Sequence, residues 1–297
     1  MSEGPVRYPV VAGYFYPANP SELSSLISSL FKHKLGPGEQ PRLSSVRRKE
    51  TIGYIVPHAG YIYSGPIAAH AYYSLSLDGK PDTIIILGTN HTGLGPLVSV
   101  YPGGKWITPL GELYVDKELA RKISEFSELA DLDTEAHLEE HSVEVQLPFI
   151  QYVYGSDVRI VPIVIGLHSI EAAEDLAQAI QKAVRTTNRD IVIIVSSDFN
   201  HYDPYEITKE KDTKAIEKVL KLDLQGFYNT IKEHHITVCG PGGIMTIMEY
   251  TMRVCRGNQC YAELLKYANS GDVSGDRSTT VGYAAIRFCA KTLEAKG

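Results

Sequence analysis

The sequence has few cysteines, no excess of basic residues and no long apolar run. Four cysteines among 297 residues, at positions 239, 255, 260 and 289, are too few and too irregularly spaced for a disulfide scaffold. The balance of 29 Lys and Arg against 35 Asp and Glu gives a net charge of -6, which argues against a nucleic-acid partner. No apolar stretch reaches the length of a membrane span, so we also expect no membrane insertion.

The N-terminal residues lack the pattern of a secretory signal. MSEGPVRYPVV has neither the basic start nor the apolar core of a signal peptide, so we expect a cytoplasmic protein. A cytoplasmic setting normally keeps thiols reduced, which favours free cysteines. Cys255 and Cys260 nevertheless flank the turn-like RGNQ, and a local disulfide between them stays open at this point.

Apolar runs alternate with helical segments along the chain, which predicts an α/β fold. Predicted strands lie at 51–57, 83–88, 158–165 and 190–196. Residues 169–186 predict an amphipathic helix, and 206–233 predict two more. The segment 261–290 predicts two antiparallel strands around a turn, whereas 34–50 is rich in Pro, Gly, Ser and charge and predicts a surface loop.

Histidines follow three of the predicted strands. His58, His91 and His201 stand in loops after apolar runs, and Asp198 precedes the third of them. Each histidine alone is more typical of a loop residue that bonds a carbonyl. In open α/β sheets, however, ligand and catalytic groups gather beyond the carboxyl ends of the strands. Three histidines at matching strand ends therefore predict one site at one edge of the sheet.

A cysteine follows a fourth short apolar run. Cys239 precedes Gly-Pro-Gly-Gly and a predicted helix start, in the stretch TVCGPGG. A helix N-terminus lowers the pKa of a nearby thiol, and a metal ion would deprotonate the thiol outright. The alternative interpretation is a small buried apolar residue, which is common for free cysteine.

The segment HLEEHSVEVQLP at 137–148 predicts a helix. His137 and His141 would share one face of it, as would His141 and Glu144. HLEEH also fits the inverted zinc-protease pattern H-x-x-E-H, in which the two histidines would bind zinc and Glu140 would act as general base. Three fixed letters are weak support, so a zinc protease is the least favoured alternative.

Six motifs resemble the Memo family. They are AGYFYP at 12–17, VPHAGYIYSG at 56–65, ILGTNH at 86–91, EHSVEVQLP at 140–148, SSDFNH at 196–201 and TVCG at 237–240. The resemblance covers essentially the whole chain. It implies a single α/β domain spanning 1–297, with three layers and a central mixed β-sheet flanked by helices. This fold is similar to that of class III extradiol dioxygenases.

The resemblance also implies roles for particular residues. His58, His91 and Cys239 match the family's metal ligands, while Asp198 and His201 match catalytic positions beside the metal. The dioxygenases hold Fe(II) with two histidines and a carboxylate. A softer cysteine in place of the carboxylate favours iron or copper, with zinc also open, and puts ring cleavage in doubt.

His141 and Glu144 also match the resemblance, and we interpret them as a polar network that lines the cleft. The leading hypothesis is a Memo-like metal-binding oxidoreductase or oxygenase that acts on an unknown small molecule. The alternative is a non-catalytic module that binds a peptide or protein in the same cleft. The resemblance further implies a functional association with radical S-adenosylmethionine proteins. None of these patterns identifies a substrate or a reaction.

Overall fold

Strands and helices alternate along most of the chain. The computed structural model describes residues 4–255 and 260–290. The strands are β1 (Val6–Arg7), β2 (Thr51–Val56), β3 (Thr83–Thr89), β4 (Val98–Val100), β5 (Lys105–Thr108), β6 (Gly111–Tyr114), β7 (Ala130–Leu132), β8 (Arg159–Ile165), β9 (Ile191–Ser196), β10 (His201–Asp203), β11 (Cys260–Asn269) and β12 (Thr280–Ala290). The helices are α1 (Pro20–Phe31), α2 (Tyr61–Leu77), α3 (Lys117–Phe126), α4 (Leu147–Tyr154), α5 (Ile170–Thr187), α6 (Tyr205–Leu220), α7 (Leu224–Glu233), α8 (Pro241–Cys255) and α9 (Ser270–Ser274).

A mixed sheet forms the centre of the structure. Its strand order is β10-β12-β2-β9-β3-β8-β4-β7, with β11 paired to β12. β2, β9, β3 and β8 pair in parallel, whereas β12 and β4 join this centre in antiparallel fashion. The carboxyl ends of β2, β9 and β3 therefore meet at one edge, which we call the site edge. The amino ends of the same strands form the opposite edge.

Helices flank the central sheet in two groups. One group contains α1, α2 and α4, and the other contains α3, α5, α7 and α8. Every residue of β2 and β3 is buried, as expected for parallel strands covered on both faces. β1, β5 and β6 form a separate small sheet. The predicted α/β class with helices around a mixed sheet is confirmed.

Most of the predicted elements are confirmed. The four predicted strands correspond to β2, β3, β8 and β9, and the predicted helix at 169–186 corresponds to α5. The two helices expected within 206–233 are α6 and α7. β11 and β12 form the expected antiparallel pair, with α9 between them, and 34–50 contains no helix or strand.

The helix predicted across 137–148 is wrong. A short 3-10 turn ends at His137, residues 138–143 are irregular, and a second 3-10 turn leads into α4. Tertiary contacts hold this irregular loop against β3. Ser142 Oγ accepts the Thr89 N–H at 3.1 Å, and a Cβ on Gly88 would lie 2.5 Å from Ser142 Oγ. The loop approaches β3 this closely because Gly88 has no side chain, and these tertiary contacts override the local helical pattern.

The cysteines are free thiols. Cys255 and Cys289 are buried, whereas Cys239 and Cys260 are half-buried. No disulfide links Cys255 to Cys260, and the predicted turn at 256–259 lies outside the described residues. Across 4–255 and 260–290, the helices are too short or too polar to cross a lipid bilayer.

Candidate metal centre

A pocket of about 560 Å³ opens at the site edge. Its walls come from the loops after β2, β3 and β9, from the irregular loop at 138–143, and from the loop before α8. The lining residues are Phe15, His58, Ala59, Gly60, His91, His141, Asp198, His201, Tyr202, Thr237, Cys239 and Val281. Side chains from distant parts of the sequence thus meet where the parallel strands end.

Three histidines in this pocket lie close enough to share a metal ion. One ring nitrogen from each of His58, His91 and His141 lies within 4.8 Å of the other two. The rings of His58 and His91 meet edge to face, with centroids 5.3 Å apart, and His91 stacks on His141 at 4.5 Å. Imidazole nitrogen is a common ligand of zinc, copper and iron. The cluster therefore fits a transition metal.

The hydrogen bonds of His58 determine which of its nitrogens is available. Ser196 Oγ donates to Ser142 O at 2.6 Å and accepts from Gln146 Nε2 at 2.7 Å. The only hydroxyl hydrogen of Ser196 is therefore used in the bond to Ser142 O. Ser196 Oγ must then accept from His58 Nδ1, which lies 3.0 Å away. His58 Nδ1 must carry the ring proton, which leaves a lone pair on Nε2 for a ligand. Burial, together with His141 and His91, lowers the pKa of His58.

A buried carboxylate fixes His91 in the same way. Glu140 accepts the backbone N–H of His91 at 2.7 Å and the ring Nδ1–H at 2.9 Å. Burial acts to raise the pKa of Glu140, but the bonds from His91 and Ser142 outweigh it and lower the pKa to about 2. A carboxylate behind the ring orients a metal-binding histidine and increases its basicity. His91 thus presents Nε2 to the pocket.

His141 completes the cluster from the irregular loop. Its ring lies between His91 and Phe15, with the Phe15 centroid 4.8 Å away. Its Nδ1 lies 3.6 Å from a Glu140 oxygen, so one carboxylate faces two of the three rings. Burial is the main reason why the pKa of His141 is lowered, which favours the neutral form that binds metals.

Cys239 reaches the cluster from the loop before α8. Its Sγ lies 3.1 Å from His58 Nε2 and accepts the backbone N–H of Asp198 at 3.1 Å. Burial, reinforced by Asp198, raises the pKa of the thiol. Burial thus opposes the lowered thiol pKa that the helix start predicts, and it is the larger influence.

Asp198 and His201 line the same pocket as these candidate ligands. Asp198 Oδ1 accepts the backbone N–H of His58 at 2.8 Å, and burial raises the pKa of Asp198 to about 7 against the opposing hydrogen bonds. His201 Nδ1 lies 2.8 Å from Thr237 O. A carbonyl oxygen only accepts, so His201 Nδ1 is the donor and Nε2 has a free lone pair.

Comparison with known proteins shows the family of this chain. A family profile described as Memo-like protein matches residues 7–287. The chain belongs to the Memo family. A MEMO1 family protein of Desulfurococcus amylolyticus is 59% identical over 282 residues, covering 95% of this chain and 98% of the relative. One from Ignicoccus hospitalis is 50% identical over 283 residues, covering 95% and 98%.

A solved structure is also similar to this Memo-family chain. It is an uncharacterized protein from Escherichia coli K12, which is 14% identical. The superposition has a TM-score of 0.49 and covers 79% of this chain and 98% of the other.

Two residues singled out in the sequence lie away from the pocket of this Memo-family protein. His137 is fully buried, and its Nε2 bonds Ser99 Oγ at 2.9 Å. It does not share a helix face with His141, so these two histidines do not form the zinc-protease ligand pair. Glu144 is also fully buried and pairs with Arg7 at 2.8 Å behind the pocket wall. It is therefore not in contact with the pocket, although we expected it to line the cleft.

Two partners of the Memo-family histidines were missed in the sequence. Asp198, which matches a position beside the metal in the family resemblance, accepts the backbone N–H of His58 and not a ring N–H. The ring protons of His58 and His91 instead face Ser196 and Glu140. Ser196 begins the SSDFNH motif and Glu140 begins EHSVEVQLP, so both stand in motifs already quoted, although neither was assigned to a histidine ring. Only the fold shows which ring each one faces.

Proposed function

We propose that this Memo-family protein binds one transition metal ion through His58, His91 and His141, with Cys239 alongside, and uses it in redox chemistry on a small molecule. The observation that supports this proposal best is the convergence of three ring nitrogens within 4.8 Å. The opposite nitrogens of His58 and His91 are bonded to Ser196 and Glu140, which leaves their Nε2 lone pairs free. A neutral imidazole set of this kind suits iron, copper and zinc.

His141 and Cys239 are the two candidates for the third ligand. Both lie within reach of His58, with Cys239 Sγ 3.1 Å from His58 Nε2 and the His141 centroid 5.4 Å from the His58 centroid. Thiolate is a soft ligand that favours copper(I), whereas imidazole accepts zinc and iron as well. We propose that His141 completes the set for divalent ions, whereas Cys239 completes it for copper(I).

A bound metal ion would supply Lewis-acid chemistry in the pocket, and iron or copper, unlike zinc, would also supply one-electron chemistry. The chain itself supplies the remaining functions. His201 carries a free Nε2 lone pair at the pocket wall, where it can accept a proton from a bound substrate. Asp198 holds the backbone of His58 through a hydrogen bond. Phe15 and Val281 form an apolar part of the pocket wall, which limits access of water.

Metal reconstitution tests the proposal. Anaerobic loading with Fe(II), Cu(I) or Zn(II), followed by elemental analysis, should give about one ion per chain. His141→Ala should weaken Zn(II) binding more than Cu(I) binding, and Cys239→Ser should do the reverse, because thiolate is the softer ligand. A parent protein that retains none of the three metals would overturn the proposal. It would leave the peptide-binding or protein-binding hypothesis in its place.

A further inference from the structure

An irregular segment at the N-terminus covers part of the metal pocket. We call residues 8–16 the N-terminal strap. Within it, Gly13 has a φ of +89° and donates to Tyr16 O at 2.7 Å, which closes a tight turn. The strap forms one isolated bridge, between Ala12 and Tyr16, and contains no helix. Regular secondary structure therefore does not hold it against the rest of the molecule.

One buried carboxylate binds the strap at several points. Glu144 Oε2 accepts from Arg7 at 2.8 Å and from the Val10 N–H at 2.9 Å. Glu144 Oε1 accepts from the Val11 N–H at 3.0 Å and from the Tyr16 hydroxyl at 2.6 Å. Four donors converge on a side chain with no exposed surface. Charge-assisted bonds in a buried setting are the strong ones, so Glu144 is the main anchor of the strap.

Arg7 connects this anchor to the loop that carries His141. Its Nε donates to His137 O at 2.7 Å and its Nη2 donates to Glu140 O at 2.9 Å. The guanidinium lies 4.9 Å from the Trp106 ring centroid, and the side chain is almost fully buried. Glu144 thus bonds the strap, and Arg7 bonds both Glu144 and the loop at 138–143, so the pair connects the two segments.

The anchored strap brings Phe15 to the metal cluster. Phe15 O accepts the Tyr61 N–H at 2.8 Å, and its ring lies 4.8 Å from the ring of His141. Two other rings contact His141: His91 stacks on it at 4.5 Å, and the His58 centroid lies 5.4 Å away. The strap thus supplies one of the three rings that contact His141.

We propose that Arg7 and Glu144 are positioning residues for the metal site, acting through Phe15 on the orientation of His141. The inference rests on the proposed metal-binding function. It assigns a ligand-orienting task to an ion pair that does not touch the pocket. Loss of the Glu144 charge should release the strap, turn His141 out of its present orientation and weaken metal binding without removing a ligand.

Co(II) binding followed by visible absorption tests this inference, because the d–d bands report the geometry around the metal. Glu144→Gln should lower Co(II) affinity on the order of 10- to 100-fold, as expected for a partner outside the ligand set, and should shift the bands. The matched control is Asp116→Asn, since Asp116 is equally buried and pairs with Arg189 at 2.9 Å near the start of β3. Both the affinity and the spectrum of that variant should remain those of the parent.

A second variant keeps the test decisive if Glu144→Gln does not fold. Phe15→Ala leaves the Arg7–Glu144 pair intact and removes only the ring against His141. It should produce the same band shift with a smaller loss of affinity. An unchanged affinity and spectrum in a folded Glu144→Gln variant, or in Phe15→Ala, would overturn the inference.

Failure of the proposed function gives a different result. A parent that binds no Co(II) and no other metal refutes the metal site itself. The positioning role is then tested on metal-free protein by NMR of the His141 ring and by amide exchange at Val10 and Val11. A shifted ring signal and faster exchange in Glu144→Gln would support the role, whereas parental values would overturn it.

Discussion

The buried polar groups at the two edges of the central sheet have different bonding partners. At the opposite edge, Asp78 accepts from Thr51 and from Arg287 at 3.1 Å, and Asp116 accepts from Thr83 and from Arg189 at 2.9 Å. At the site edge, the described residues that line the pocket include no Lys or Arg. At the opposite edge these carboxylates are paired with arginine, whereas the imidazoles that line the pocket are held by hydrogen bonds, with the Arg7–Glu144 pair behind the pocket wall.

This difference in bonding partners suggests that the opposite edge contributes mainly to stability and the site edge mainly to ligand binding. The charge of a buried carboxylate paired with arginine is balanced inside the protein, so the carboxylate is not available to bind a ligand. Imidazoles whose outer nitrogens are occupied still have a lone pair on the inner nitrogen. We therefore expect changes at the opposite edge to alter the free energy of unfolding, and changes at the site edge to alter metal affinity.

The largest expected effect lies at the opposite edge. Arg287→Leu leaves the Asp78 carboxylate buried without its cation, and breaking such a pair lowers the free energy of unfolding by about 3–5 kcal/mol. Arg287 is partly exposed, so we expect a value near the lower limit. Urea unfolding of the metal-free protein measures it, and elemental analysis should show unchanged metal content. A variant that loses metal but keeps its stability would break the comparison.

Removal of a ligand at the site edge should give the reverse result. His91→Ala eliminates one of three imidazoles, so metal affinity should fall by more than about 100-fold, beyond the usual effect of a partner outside the ligand set. Competitive titration with a chelator measures the affinity. His234→Ala, an exposed histidine outside the pocket, is the matched control and should bind metal like the parent. Equal affinities in the two variants would exclude His91 as a ligand.

The carboxylate behind His91 should have a smaller effect. Glu140→Gln retains an acceptor for the His91 ring proton but removes the negative charge, so we expect a loss of metal affinity of about 10- to 100-fold. Titration of parent and variant side by side provides the measurement. If Glu140 were instead a general base with no bond to His91, affinity would stay at the parental value.

The last expected effect, at most about 1.4 kcal/mol per pH unit, concerns Asp212, a buried carboxylate near the site edge. Asp212 accepts from Asn200 N at 2.8 Å and from the Tyr267 hydroxyl at 2.8 Å, but the described residues place no Lys or Arg in contact with its carboxylate. Burial raises the pKa of Asp212 to about 7, although these hydrogen bonds and the nearby Lys211 act in the opposite direction. The folded protein therefore keeps a proton that the unfolded chain loses near pH 4.

This difference in proton binding predicts a pH dependence. The contribution of Asp212 is fully present below about pH 4 and is lost as the pH rises toward about 7, by up to about 1.4 kcal/mol per pH unit. Asp212→Asn should flatten that part of the stability profile, measured by urea unfolding at a series of pH values. A variant whose profile keeps the parental slope would show that Asp212 is already ionised across this range.

Strand positions were predictable because they depend on local pattern. The runs that became β2, β3, β8 and β9 are apolar and β-branched, and strands buried on both faces need only such a run. The position of His58 after β2 and of His91 after β3 followed, since parallel strands end at a common edge. The loop at 138–143 was not predictable, because contacts with β3 override its helical pattern.

The sequence by itself determined the α/β class, the strands and the placement of histidines at their ends, because periodicity and strand length act over a few neighbouring residues. Only the tertiary structure decided that His141 rather than His137 faces the pocket and that Glu140 holds His91. Arg7 and Glu144 are 137 residues apart, and their pairing depends on how distant segments pack. Hydrogen-bond partners are selected by geometry between segments, which no local pattern encodes.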